Sequence, residues 1–105
     1  MTRERPGQPV VVFIGPMAAG KTRTGKRVAK ALGCDFLDTD RMVEAEHGPI
    51  TALFATHGEA HFRSLERAAV AQALETEAVV ALGGGAVLDE NTQAQLANCR
   101  VVYLS

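Results

Sequence analysis

An eight-residue phosphate-binding motif near the N-terminus constrains the fold more than any other feature of this sequence. Residues 15–22 read GPMAAGKT, which matches the Walker A pattern G-x-x-x-x-G-K-[ST]. An apolar, β-branched run at residues 10–14 precedes the motif, and a helical pattern at residues 22–32 follows it. A buried strand that leads through small residues into a helix directs successive backbone N–H groups at one point, where a polyphosphate binds. The motif therefore predicts a nucleotide-phosphate loop at the edge of a parallel sheet.

Length and composition fit one small globular domain. The 105 residues allow a single modest core, and 47% hydrophobic with 22% charged residues is a globular balance. A formal net charge of −1 leaves no electrostatic footprint for nucleic acid, so we expect no such partner. The first nine residues contain no apolar signal segment, and the longest apolar stretch, residues 10–19, is too short to span a bilayer. We expect a cytoplasmic protein without a membrane association.

Strand and helix patterns alternate along the rest of the chain. Strands are predicted at residues 10–14, 34–38, 78–82 and 100–104. Helices are predicted at residues 22–32, 41–46, 50–56 and 90–96, with a long amphipathic helix after Gly58. This order is typical of an α/β domain with a parallel sheet, in which ligands bind beyond the carboxyl ends of the strands. The phosphate loop, the aspartates after the second strand and the glycines after the third should therefore converge.

Two aspartates at the end of the second predicted strand are candidate metal and substrate ligands. In Asp38-Thr39-Asp40, an extended backbone would turn both carboxylates to the same side. Beside a phosphate loop, we expect Asp38 to serve Mg²⁺ and Asp40 to accept a hydrogen bond from a substrate hydroxyl. The alternative is structural: Asp40 caps the helix at residues 41–46, and Asp38 is a solvated loop carboxylate.

Arg63 has two competing interpretations. Glu59 and Glu66 lie four residues before it and three after it, so the spacing alone favours an ion pair within a helix. A guanidinium fork that binds a substrate carboxylate or phosphate is the alternative. Arg63 and Glu66 both lie off the apolar face that we predict for this helix, which repeats at Phe62, Leu65, Ala69 and Ala73.

The triple glycine Gly83-Gly84-Gly85 predicts a ligand contact. Three consecutive glycines cost backbone entropy unless something must approach the main chain closely.

His57 and His61 show the i, i+4 spacing of a zinc pair, but Gly58 interrupts it and no third ligand is evident, so we predict no metal there. Cys34 and Cys99 are assigned no chemistry.

The order of these blocks resembles the shikimate kinases. The resemblance rests on residues 15–22, 36–40, 58–66, 83–85 and 101–104, and so runs through essentially the whole chain. It implies a three-layer P-loop kinase fold, with four strands visible here where the family has five. It also implies an ATP-dependent transferase that phosphorylates the 3-hydroxyl of shikimate, a step of chorismate and aromatic amino acid biosynthesis.

The resemblance also implies roles for individual residues. Lys21 and Asp40 would be catalytic, while Thr22 and Asp38 would serve Mg²⁺ with ATP as co-substrate. Shikimate would bind to Asp40, to Gly83, Gly84 and Gly85, and through its carboxylate to Arg63. The nucleotide phosphates would be surrounded by Gly15, Ala18, Ala19, Gly20, Lys21, Thr22 and Arg23.

Two other functions stay open at this point. Shikimate kinases continue beyond the strand at residues 100–104 into a lid and a last strand, so we expect residues 1–105 to be one kinase domain without these parts. We expect a monomer, and little turnover from the 105-residue chain itself. The alternatives are another small-molecule kinase, such as a gluconate or nucleotide kinase, and a non-catalytic nucleotide-binding module or fragment.

Overall fold

A four-stranded parallel sheet forms the centre of the computed structural model, which describes residues 7–16 and 19–105. The spatial order is β2-β3-β1-β4. Val12 lies opposite both Val80 and Val101, and Leu37 lies opposite Val80 on its other side. The predicted parallel sheet is confirmed. Its strands are β1 (Val11–Ile14), β2 (Phe36–Asp38), β3 (Val79–Ala81) and β4 (Val101–Tyr103).

The helices follow the predicted order with shifted ends. They are α1 (Lys21–Leu32), α2 (Thr39–His47), α3 (Ile50–Ala73) and α4 (Glu90–Leu96), and a short 3₁₀ helix (Ala86–Leu88) follows the triple glycine. Gly58 interrupts α3 with φ 84° and ψ 173°, so this element has two arms, as the sequence predicted. Within residues 7–16 and 19–105, no helix has both the length and the apolar character that crossing a membrane requires.

Alternation along the strands places helices on both faces of the sheet. Phe13 and Val79 pack with α1 residue Ala29. The neighbouring residues, Val12 and Val80, point the other way and pack with α3. All four strand residues are buried, as expected for a parallel sheet covered on both sides. This arrangement confirms the three-layer α/β/α architecture.

A second apolar cluster fixes α3 against α2. It consists of Val43 from α2 with Leu53, Phe62 and Ala69 from the two arms of α3. Phe62 is only 3% exposed. Because Arg63 follows Phe62 directly, the backbone of Arg63 is held in place by the packing of its neighbour.

Candidate active site

The phosphate loop joins β1 to α1 and depends on glycine at both ends. Gly15 has φ 144°, and a Cβ at this position would overlap the backbone carbonyl of Leu104, which follows β4. Gly20 is left-handed, with φ 83° and ψ 19°, and directly precedes α1 without a side-chain cap. Uncapped N–H groups at a helix start are suited to an anion. Met17 and Ala18 lie outside the described residues, so the prediction for Ala18 remains a prediction.

Lys21 folds back across this loop. Its Nζ donates hydrogen bonds to the carbonyl oxygens of Gly15 and, at 3.3 Å, of Pro16. The ammonium group is therefore held by the loop that it follows in sequence. This arrangement places one positive charge at the loop.

Asp38 connects the phosphate loop to the second strand. Its Oδ2 accepts a hydrogen bond from the Thr22 hydroxyl at 2.9 Å. Its Oδ1 accepts from the backbone N–H groups of Asp40 at 3.0 Å and Arg41 at 3.4 Å. Asp38 is thus the N-cap of α2, with φ −117° and ψ 118°. Thr22 and Asp38 together present two oxygens that could share a hard cation.

The structure corrects the expected geometry of Asp40. Helix α2 begins at Thr39, so Asp40 lies in the first helical turn and is neither the N-cap nor part of an extended segment. Extended backbone ends at Asp38 because its side chain caps the helix two residues earlier than predicted. The two carboxylates are neighbours because the chain turns between them.

The carboxylate of Asp40 lies half-buried against Gly83. Burial raises the pKa of Asp40 above its ordinary value of 3.8, and the nearby carboxylates of Asp38 and Glu66 raise it further, whereas Lys21 opposes the shift. A raised pKa in a cleft is typical of a group that accepts protons in a reaction. The structure thus gives Asp40 an environment that differs from that of a solvated carboxylate.

Arg63 lies between two glutamates of its own helix. Its Nη1 is 2.9 Å from Glu66 Oε1, and its Nη2 is 3.5 Å from Glu59 Oε2. The predicted ion pairs are confirmed. The prediction that Glu66 lies off the buried face is wrong, because Glu66 is only 4% exposed. A carboxylate tolerates this burial because the guanidinium pairs with it.

The triple glycine lies beside both side chains that the sequence predicts for substrate binding, Asp40 and Arg63. Gly83 is next to Asp40, Gly85 is next to Arg63, and the exposed Gly84 stands between them. The buried hydroxyl of Thr39 accepts a hydrogen bond from the Gly83 N–H at 3.0 Å. This bond joins the start of α2 to the loop that follows β3.

One cavity of about 630 Å³ brings most of the predicted residues together. Four of the predicted residues within 7–16 and 19–105 are not in its lining: Gly15, Arg63, Gly83 and Gly85. Lys21 contacts Gly15, while Asp40 and Gly84 connect the other three to the cavity. The cavity therefore joins a phosphate-binding loop to an acidic group. It is lined by Ala19, Gly20, Lys21, Thr22, Arg23, Asp38, Asp40, Leu82 and Gly84.

The histidines and cysteines lie apart from this cavity. The rings of His57 and His61 are exposed, with centroids 4.6 Å apart across the break at Gly58. Among the residues described by the structure, no group of three His, Cys, Asp or Glu side chains could hold a metal ion. Cys34 and Cys99 are half-buried and are not joined in a disulfide bond.

Comparison with known proteins decides the family. Residues 17–105 match the family model of shikimate kinase. The chain belongs to the shikimate kinase family. The shikimate kinase of Salinispora tropica is 54% identical over 99 residues, which cover 92% of this chain and 59% of that enzyme. The chain thus spans well under two thirds of the length of this relative.

Solved structures agree with this family assignment. The shikimate kinase of Acinetobacter baumannii, in complex with shikimate, superposes with a TM-score of 0.87 at 36% identity, covering 92% of this chain and 55% of that one. A gluconokinase from Sinorhizobium meliloti reaches a TM-score of only 0.58 at 23% identity, and shows a common fold alone. The P-loop kinase fold is therefore shown for this shikimate kinase family member.

Two residues of this shikimate kinase family member escaped prediction from sequence. Thr39 carried no signal, because a threonine between two aspartates has no patterned role. Glu66 carried a usable one: its i+3 spacing from Arg63 predicted the ion pair, although not the burial. Thr39 contacts Gly83 and Glu66 contacts Arg63, two residues that the sequence predicts for the site.

Proposed function

We propose that this chain carries the nucleotide and acceptor sites of an ATP-dependent shikimate kinase, which phosphorylates the 3-hydroxyl of shikimate on the route to chorismate and aromatic amino acids. One observation carries the proposal: a single cavity is lined by Lys21 and Thr22 of the phosphate loop and by the acidic residue Asp40. The A. baumannii relative, whose structure contains shikimate, supports the choice of acceptor.

The phosphate end of the cavity suits the triphosphate of ATP. The first turn of α1 offers backbone N–H groups, and Lys21 adds a cation that can leave its carbonyl partners for phosphate oxygens. Residues Gly15, Ala19, Gly20 and Arg23 complete the proposed nucleotide contacts. Their common role is to compensate the charge of the β- and γ-phosphates.

Thr22 and Asp38 fit a magnesium ion. Both present oxygen, the donor that Mg²⁺ prefers, and the two oxygens are already 2.9 Å apart. The N–H groups of Asp40 and Arg41 hold the other oxygen of Asp38, so its Oδ2 keeps facing Thr22. When bound, Mg²⁺ neutralises charge that develops on the transferred phosphoryl group.

Asp40 is the proposed proton acceptor. The acceptor hydroxyl oxygen bonds to the γ-phosphorus as the bond from that phosphorus to the bridging oxygen of ADP breaks, and Asp40 takes the hydroxyl proton. The raised pKa of Asp40 makes it a better base than a solvated aspartate, because its charged form is less stabilised. Lys21 supports the same step by compensating phosphate charge.

Arg63 is the proposed anchor for the shikimate carboxylate. A guanidinium binds a carboxylate through two parallel hydrogen bonds, which fixes orientation as well as position. The buried carboxylate of Glu66 holds one side of the fork, while Glu59 is 69% exposed and can yield to a substrate. The backbone of Gly83, Gly84 and Gly85 would border the same substrate.

A chimera provides the test of this function. Residues 1–105 replace the matching part of the S. tropica enzyme, and phosphoryl transfer from ATP is measured with shikimate, gluconate and nucleoside monophosphates. We expect the chimera to phosphorylate shikimate and neither of the other acceptors. The 105-residue chain should phosphorylate shikimate much more slowly than the chimera does. A preference for gluconate would contradict the proposal, and ATP binding without transfer to any acceptor would support a non-catalytic module instead.

We also propose a cytoplasmic monomer. All residues assigned to the site come from one chain, and ATP with Mg²⁺ is abundant in the cytoplasm, which supports both parts of this proposal. Sedimentation velocity of the chimera should give the mass of one chain. A dimer that persists on dilution would contradict the proposed monomer.

A further inference from the structure

The three consecutive glycines are not explained by backbone conformation. None of Gly83, Gly84 and Gly85 has a φ in the left-handed region, and Gly85 has an ordinary φ of −94°. Alanine can adopt such a backbone without strain. The reason for glycine must therefore lie in what surrounds the positions.

A side chain at either outer position would overlap a functional group. A Cβ on Gly83 would lie 2.9 Å from Asp40 Cγ and closer still to Oδ1. A Cβ on Gly85 would lie 2.8 Å from Arg63 Cζ, with Nη1 closer. Real Cβ atoms essentially never approach other heavy atoms to less than 3.0 Å. Each outer glycine thus makes room for a different side chain of the proposed substrate site.

We infer that Gly83 and Gly85 are positioning residues. Because Gly83 has no side chain, the Asp40 carboxylate can lie against the loop backbone. Gly85 leaves room for the Arg63 guanidinium in the same way. The inference rests on the proposed function and deepens it. The loop between β3 and the 3₁₀ helix then fixes the separation of the proton acceptor from the carboxylate anchor. That separation selects acceptors whose hydroxyl and carboxylate are spaced to match.

The loop is held firmly enough to act as a template. At its start, Leu82 donates from its backbone to Phe13 in β1 at 3.0 Å, and Gly83 donates to the buried hydroxyl of Thr39. At its end, the carbonyl oxygens of Gly83 and Gly85 accept backbone hydrogen bonds from Ala86 at 3.0 Å and Leu88 at 3.2 Å. Because the backbone is tied at both ends, an added methyl group must displace the side chain that it meets.

The two glycines should therefore have separable effects. Gly83→Ala displaces Asp40, and we expect kcat to fall on the order of a hundredfold, since misplacing a reacting group by about 1 Å costs that much. Gly85→Ala displaces the flexible end of Arg63, so we expect the KM for shikimate to rise about tenfold while kcat changes less.

The experiment uses the chimera described above, with kcat, both KM values and Tm measured for each variant. Gly25→Ala is the matched control, because its Cβ would lie 2.9 Å from Phe36 Cδ1, an equal overlap away from the cavity. We expect this control to lower Tm without a selective change in either kcat or the KM for shikimate. If kcat falls and KM rises to the same extent in all three variants, the inference is overturned.

Double-mutant cycles separate each overlap from a general loss of stability, and the cycle that is read through Tm needs no turnover. If Gly85 makes room for the guanidinium, Gly85→Ala should raise the KM for shikimate less in an Arg63→Lys background than in the parent. If Gly83 makes room for Asp40, the effect of Gly83→Ala on Tm should vanish in an Asp40→Ala background. Full additivity in both cycles would overturn the inference even if shikimate is the substrate. An inactive parent would contradict the proposed function, while the Tm cycle would still decide the overlap at Gly83.

Discussion

The hydroxyl of Thr22 donates a hydrogen bond to the Asp38 carboxylate at 2.9 Å, and this bond joins the first turn of α1 to the end of β2. The two residues are 16 positions apart in sequence. Their oxygens form a pair that needs little rearrangement to bind a hard cation. The same carboxylate caps α2, so the fold and the proposed metal site depend on one side chain.

Removal of Lys21 should abolish nucleotide binding. In Lys21→Ala, phosphate charge at the loop loses its cation, and we expect ATP binding below detection by calorimetry. The fold should survive, because within residues 7–16 and 19–105 the side chain of Lys21 donates hydrogen bonds just to two carbonyls of its own loop. Lys26→Ala, on the exposed side of α1, is the control and should bind normally. Unchanged affinity in Lys21→Ala would refute the phosphate-loop assignment.

The magnesium requirement should respond to the Thr22 hydroxyl and the Asp38 charge. We expect Thr22→Val and Asp38→Asn to raise the Mg²⁺ concentration that gives half-maximal turnover in the chimera, and Thr22→Ser to leave it near the parent value. Asparagine is as good an N-cap as aspartate, so Asp38→Asn should fold with a similar Tm. An unaltered Mg²⁺ dependence in both damaging variants would place the metal elsewhere.

Neutralising Asp40 should stabilise the fold at neutral pH while it removes activity. Because the pKa of Asp40 is raised in the folded state, the folded protein binds more protons than the unfolded chain between 3.8 and that raised value. Stability from this group therefore falls as pH rises through that window. Asp40→Asn avoids the penalty, and we expect its Tm to exceed the parent's by about 2 to 5 °C at pH 7.

The pH dependence of that Tm difference provides the check. The advantage of Asp40→Asn should shrink as pH falls towards 3.8 and vanish below it, where the carboxyl is protonated in both states. Calorimetric scans at several pH values measure it. A Tm that falls in the variant at pH 7 would show that the Asp40 charge stabilises the fold.

The two glutamates beside Arg63 should contribute unequally to shikimate binding. Glu66→Gln removes a buried partner of the guanidinium, and we expect the KM for shikimate to rise about tenfold, as for the loss of a charged hydrogen bond. Glu59→Gln is the matched control, and its exposed pair at 3.5 Å should matter little. The KM for ATP should not change in either variant. Equal effects of the two substitutions would exclude Glu66 as the residue that holds Arg63.

Local patterns in the sequence were sufficient for the architecture, and they predicted most of the residues that line the cavity. The β-branched runs predicted the strands, and the Walker A motif between a strand and a helix predicted the loop of Gly15, Gly20 and Lys21. These inferences succeed because strand burial, helix starts and tight turns depend on residues close together in the chain. The convergence of three strand ends followed from the geometry of parallel sheets.

Contacts between distant segments were decided only by the tertiary structure. Thr39 and Gly83 are 44 residues apart, and no local pattern joins the hydroxyl of one to the N–H of the other. The burial of Glu66 likewise depends on its surroundings in the fold, whereas the periodicity of α3 placed it off the buried face. Sequence alone determined that this chain has a phosphate loop, a parallel sheet and acidic groups beside them. The tertiary structure decided which side chains are pressed together, because packing distances in a folded core do not follow distance along the chain.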